Sequence, residues 1–156
     1  MEDDVIFRHA WILFIAVMCA NAAVWWTRAR KVIADRPELE SGYRSLIRGW
    51  LIYGNIPWLV MGYGMLFGRV TSIERYLHPE SNPYVLAWYG SVVAIWVLTV
   101  YWIFLRGGAE ALIRHPGLLN LPTQEPWVVK AVVALTLAGG VIGLGMVFLG
   151  YAPVGR

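Results

Sequence analysis

Three side chains able to ligate a metal fall close together at Glu74, His78 and Glu80. Glu74 and His78 stand at i, i+4, a spacing that puts two ligands on one face of an α-helix. A structural metal centre also needs a fourth ligand and a shell of hydrogen bonds around the first. The sequence supplies neither, so the plainer reading is a solvated loop, and no metal or other cofactor is expected. A second constellation, Arg106, Arg114 and His115, flanks the pair Gly107-Gly108. Exposed backbone amides beside cations can hold a phosphate, and here a lipid headgroup is the candidate ligand. Simple electrostatic anchoring at a membrane face is the competing account.

A third feature is Asn55 beside Pro57, in an otherwise charge-free stretch. Proline removes one helical hydrogen bond and frees the carbonyl of Tyr53, so a kink is expected. An amide at a kink suits either a ligand path or one interhelical hydrogen bond, and the bond is the reading preferred. Cys19 is the single cysteine, which excludes an intramolecular disulfide and paired-thiol redox chemistry. No Asp, Glu, Lys, Arg or His interrupts the middle of any long apolar run. Proton-coupled carriers keep an ionisable group there, and bis-histidine cytochromes keep two histidines there. His9, His78 and His115 all lie at the ends of such runs or between them. No catalytic residue is assigned.

These residues hang on four runs without charge, at 10–27, 49–68, 81–105 and 131–155. Each is long enough, at about 18 residues or more, to cross roughly 30 Å of hydrocarbon as a helix. Hydrophobic residues make up 58% of the chain and charged ones 15%, against about 45–50% and 25% in soluble domains. The fold expected is all-α: a polytopic membrane protein in a single domain over 1–156, a bundle of four transmembrane helices. The spans are expected at about 8–28, 46–68, 83–105 and 126–150. Amphipathic cytoplasmic segments are expected at about 35–48 and 109–121.

Helix starts are marked. Asn82-Pro83 reads as a cap followed by proline at the first helical position, and Thr123-Gln124-Glu125-Pro126 repeats the device. Asp35-Arg36-Pro37-Glu38 has the form of a capping box, so the second helix is expected to begin at Asp35. The two connections resemble each other. Arg28 and Arg106 are each followed by an arginine eight positions on, then by Pro37 or Pro116, and the next run carries Gly64–Phe67 or Gly145–Phe148. An old duplication of a two-helix hairpin explains this, as does the general liking of cytoplasmic turns for Arg and Pro.

Orientation follows from the basic residues. Nine lie in the 1–2 and 3–4 connections and four on the other side, which puts both termini outside. The opening Glu2-Asp3-Asp4 lacks the basic start of a signal peptide, so the first run is expected to be a retained span. The setting is the cell membrane, a bacterial inner membrane.

Helix contacts are expected at Gly64 and Gly68, at Gly139 and Gly143, and at Ala16 and Ala20, where small residues four apart let backbones approach in lipid. Most of the nine tryptophans fall near run ends, as an interfacial belt requires. Trp58 and Trp96 lie deeper and fit core packing or the lining of a ligand site. The function class this favours is a small non-catalytic subunit or scaffold of a membrane assembly. Its partners are membrane lipid and other membrane proteins or itself, and not nucleic acid. The alternatives are an oligomeric channel or carrier, and a lipid-modifying enzyme using the inner loop.

Overall fold

The computed structural model describes residues 9–79, 82–119 and 124–149, and every regular element among them is helical. Helix α1 spans Ala10–Asp35 and α2 Glu40–Phe67. Helix α3 covers Pro83–Val100 and runs on through a π-helical turn at Tyr101–Leu105. The short α4 is Gly108–Arg114, and α5 is Pro126–Phe148. Three helical stretches are long and apolar enough to cross a membrane: Ala10–Asp35, Pro83–Leu105 and Pro126–Phe148. They mark a membrane-embedded protein. Helix α2 has the length, but Asn55, Pro57, its tyrosines and its glycines dilute the apolar character that four charge-free runs had suggested.

The α1–α2 connection corrects the expected capping box. Helix α1 continues seven residues past the expected end at 28 and includes Asp35. The break falls on Arg36 (φ −139°, ψ 72°), which caps without any side-chain hydrogen bond. Pro37 is the reason: it disfavours helical backbone at the residue before it, and its own fixed φ suits the first position of the turn at Pro37–Leu39. One non-helical residue therefore closes the hairpin, and the Arg36 amide still donates to the Val32 carbonyl at 2.9 Å. At 1.5 Å per residue α1 and α2 are about 39 and 42 Å long, more than roughly 30 Å of hydrocarbon. The surplus carries Arg28 through Arg48. Pro57 does not end α2, which is helical on both sides of it.

The α3 start meets expectation. Asn82 caps it, its Oδ1 accepting from the Tyr84 amide at 2.9 Å, with Pro83 at the first helical position. Glu125 stands at the cap of α5 but its side chain makes no capping hydrogen bond, and Thr123 lies outside the described residues. The two connections proposed as repeats are built differently. Pro37 opens the 3₁₀ turn that leads into α2 after a one-residue break, whereas Pro116 follows a separate seven-residue helix.

Packing concentrates at the two ends of the bundle. At one end Met61, Met65, Val70, Tyr76, Val85 and Tyr89 form a buried cluster. Trp11, Trp58, Trp88, Leu144 and Val147 close around it. The loop after α2 folds into this cluster rather than over it. Arg69 takes a left-handed φ of 55°, and Val70 behind it is fully buried. The Tyr76 hydroxyl donates to the Met61 carbonyl at 2.9 Å, and the Tyr89 hydroxyl donates to the Tyr76 carbonyl. At the other end Ala22, Ala29, Tyr43, Ile47 and Leu118 are buried together, and Ile103, Ala109 and Val129 form a third group. Removing the hydroxyl that pins the loop should destabilise without unfolding: Tyr76→Phe is expected to lower stability by about 1 kcal/mol, read from denaturant unfolding in detergent. An unchanged midpoint would show that the loop is held by apolar packing alone.

Candidate functional site

The polar side chains singled out above are placed by two structures, the base formed by α4 and the loop after it, and the middle of α2. At the base, Gly107 takes a left-handed φ of 71° and turns the chain from the π-helical turn into α4. Gly108 then lies against the Trp102 ring so closely that a Cβ there would overlap it. Gly117, at φ 88°, makes the second reversal and brings Leu118 into the base cluster beside Ala29 and Tyr43. These two left-handed positions are ones that glycine occupies without steric penalty.

His115 points inward. Its ring stands over Gly42, where a Cβ would collide with it, and meets Tyr43 edge-on at 4.9 Å between centroids. Its Nδ1 lies 2.7 Å from the Ala111 carbonyl. The Tyr43 hydroxyl donates to the Pro116 carbonyl at 2.7 Å, and burial raises the Tyr43 pKa above its ordinary value while Arg36 opposes the shift. His115 is therefore a packing residue that ties the loop to α2. Arg106 and Arg114 are both exposed, and the Arg114 Nε reaches back to the Glu110 carbonyl at 3.4 Å. Glu110 was not singled out from the sequence. It accepts from the Lys130 Nζ at 3.1 Å and so joins α4 to the start of α5. Its carboxyl is held below the usual range, first by its own backbone amide and then by the hydrogen bond from Lys130. The signal lay in the pairing of one acid in the loop with one base at the head of the last run, but nothing in the spacing assigned them to each other.

In the middle of α2, Asn55 is 8% exposed. Its Nδ2 donates to the Leu51 carbonyl of its own helix at 2.7 Å, and its Oδ1 has no partner among the described residues. The expected interhelical bond is thus replaced by a local one, one turn back along the same helix. Thr99 and Thr136 do the same, bonding the carbonyls of Ile95 and Val132. A short polar side chain finds its own helix before it finds a neighbour.

The glycine pairs separate sharply. Gly64 and Gly68 are buried against Tyr76 and Tyr84, and a Cβ on either would press into those side chains. Gly139 and Gly143 on α5 have nothing within 4 Å of a Cβ position. Gly140, beside them, receives the Trp96 ring, and Trp58 stacks on Phe14 at 4.1 Å. Both deep tryptophans are thus engaged in helix packing. Ala16 and Ala20 are exposed on α1, while Ala22 and Ala29, not singled out, are the small residues that pack on α2. Their seven-residue spacing was the signal that would have found them.

Glu74 lies in a 3₁₀ turn at Ile73–Leu77 and His78 just beyond it. Three residues per turn carries positions four apart onto different faces, so the α-helical ligand spacing does not apply. Glu80 lies outside the described residues. Among the described residues no three His, Cys, Asp or Glu side chains gather as metal ligands. The chain matches no family model, no curated protein and no solved structure.

The Glu110–Lys130 link makes a pH prediction. A carboxyl whose folded pKa is lowered adds stability above its unfolded value, here 4.5, and loses it as pH falls through the folded value. The thermal midpoint should therefore drop on acidification below about pH 4.5, and Glu110→Gln should flatten that part of the profile. An identical acid limb in the variant would assign the loss to other carboxylates.

Proposed function

We propose that this protein is a non-catalytic subunit or scaffold of a membrane protein assembly, a single domain that binds lipid and docks other membrane proteins or a second copy of itself. The observation that supports the reading is the open face of α5. This is the most apolar of the three spanning helices, and none of its most apolar stretch is buried within the chain. Leu135 and Ile142 are 74% and 66% exposed. On the same helix Gly139 and Gly143 stand four apart with no neighbour. Glycine inside a helix costs about 1 kcal/mol against alanine. In lipid that cost is offset by close backbone contact, which Gly139 and Gly143 do not make with their own chain. Supporting this reading over a lipid-modifying enzyme, His115 is occupied in local bonding and packing.

In this proposal α2 is the fourth span, because it runs antiparallel to α1 from a one-residue turn and carries no charge from Gly49 to Phe67. Both termini then lie outside a bacterial inner membrane, with nine basic residues on the cytoplasmic side and four on the other.

Two experiments test the proposal. Gly143→Leu is expected not to destabilise the isolated protein, and to stabilise it by up to about 1 kcal/mol through helix propensity, since a Cβ there meets nothing within 4 Å. The same variant should abolish cross-linking in membranes, either to a second copy or to a co-purifying partner. Unchanged cross-linking would remove the α5 face from the assembly. For orientation, in a Cys19→Ser background, Ser41→Cys should be shielded from an impermeant thiol reagent in intact cells and Ser81→Cys should be labelled. The reverse pattern would invert the topology.

A further inference from the structure

Helix α2 and the turn before it carry a polar-to-apolar gradient along an exposed side. Two shallow grooves run along it and share Arg44. One, of about 390 Å³, is lined by Pro37, Glu38, Glu40, Ser41 and Arg44. The other, of about 360 Å³, is lined by Arg44, Ser45, Arg48, Gly49, Ile52 and Tyr53. Beside this exposed strip the same helix buries Tyr43 and Ile47 against α1 and Leu118. Along the axis the order is acids, then arginines and a hydroxyl, then a glycine notch between exposed apolar side chains. Gly49 meets nothing within 4 Å of a Cβ position, and Ile52 and Tyr53 are half exposed beyond it.

Arg44 is held in place. Its Nε and Nη2 both donate to Glu40 Oε1, at 2.9 and 2.6 Å, and its guanidinium lies 5.4 Å from the centre of the Trp26 ring. That arrangement leaves its Nη1 and the Glu40 Oε2 without partners among the described residues. Arg48, one turn deeper, makes no ion pair there, and neither does Glu38. Charges of both signs thus stand in sequence at the edge of the charge-free part of the helix, not a single basic patch.

We propose that this face is a binding site for one phospholipid whose headgroup ends in a primary ammonium. The phosphate lies between Arg44 and Arg48, with the Ser45 hydroxyl beside it. The ammonium, two methylenes further out, reaches Glu38 and Glu40. At 1.5 Å per residue the acids stand about 6 Å or more beyond Arg44 along the axis, on the side away from the hydrocarbon. One acyl chain lies in the notch at Gly49 between Ile52 and Tyr53. A purely anionic lipid would satisfy the arginines and be repelled by the carboxylates. A choline headgroup would be attracted by them but has no N–H to donate. The order of charges along the groove therefore selects ethanolamine chemistry. This site rests on the proposed reading of α2 as a span and not on the α5 interface.

The test is native mass spectrometry of the full chain in detergent with equal amounts of phosphatidylethanolamine, phosphatidylcholine and phosphatidylglycerol bearing the same acyl chains. The wild-type protein should retain phosphatidylethanolamine above the other two. Arg48→Gln should reduce retention of all three by about fivefold, the loss of one phosphate-facing cation. Glu38→Gln should reduce phosphatidylethanolamine and phosphatidylcholine while sparing phosphatidylglycerol. Gly49→Leu should displace the acyl chain and lower all three. Arg75→Gln, exposed in the loop at the other end of the bundle, should leave retention unchanged. Preferential retention of phosphatidylglycerol by the wild-type protein would overturn the proposal in favour of general basic attraction. Unaltered binding in Arg48→Gln would overturn it by placing the lipid elsewhere, whether or not the Gly49→Leu variant folds.

Discussion

Helix α2 is notched by glycines, and neighbouring side chains insert into the notches; the rest of the bundle is arranged around that fact. Met18 and Trp11 of α1 reach Gly54 and Gly62. Tyr84 of α3 and Tyr76 of the preceding loop reach Gly64 and Gly68, and His115 reaches Gly42 from the far end of the chain. At each of these positions a Cβ would overlap the incoming group. Helices in lipid gain little from hiding apolar surface from tails that are equally apolar, so steric fit takes the place of the hydrophobic effect. A helix that offers notches on several faces can organise three neighbours at once.

That role accounts for an inversion in composition. The helix with the most buried positions, α2, is the one that falls short in apolar character, while α5 is the most apolar and the least covered. In a soluble protein the order would be reversed. In a bilayer the outer surface must match the tails, and the interior needs shape before apolarity. Glycine, proline and asparagine are acceptable at Asn55, Pro57, Gly62 and Gly64 because other side chains, not lipid, surround them.

The same inversion explains what the sequence revealed and what it hid. Charge-free runs found α1, α3 and α5, and Asn82-Pro83 marked the start of α3, because both are local signals. The break at Arg36 was misplaced by one residue because Asp35 and Glu38 imitate a capping box, whereas Pro37 acts on the residue before it more strongly than a cap does on the residues after it. GxxxG spacing identified four glycines but not their use: Gly64–Gly68 receives tyrosine rings and Gly139–Gly143 receives nothing within the chain. Spacing reports that a close approach is possible, and only the path of the neighbouring segments decides what approaches. The inward turn of His115 depends on the left-handed backbone at Gly117, and the Glu110–Lys130 pair on where α4 comes to rest beside α5. No local pattern encodes either.

Polar bonds and steric notches also divide the bundle by depth. The described side-chain hydrogen bonds that join separate segments lie at its ends: Tyr43 to Pro116, Tyr76 to Met61, Tyr89 to Tyr76, Asn82 to Gly68 and Lys130 to Glu110. Four of these place a side-chain donor on a backbone carbonyl, and the fifth is an ion pair near the head of α5. In the middle, Asn55, Thr99 and Thr136 bond only their own helices. At Pro116 and Tyr76 the loops bring in carbonyls outside any α-helix, so the Tyr43 and Tyr89 hydroxyls both fix a loop and pair an acceptor, while Tyr76 fixes its loop to the Met61 carbonyl within α2. At the centre every carbonyl but the one freed by Pro57 belongs to a helical ladder, and van der Waals fit is what remains to set helix positions. Helix α5 follows from this division. It is tied at its head by Lys130 and at its tail by Phe148 against Tyr89, and between them Val133, Leu144, Val147 and the Trp96 ring in Gly140 pack one side of it inward. A helix packed inward along one side keeps its Leu135, Gly139, Ile142 and Gly143 side for whatever lies beside it in the membrane.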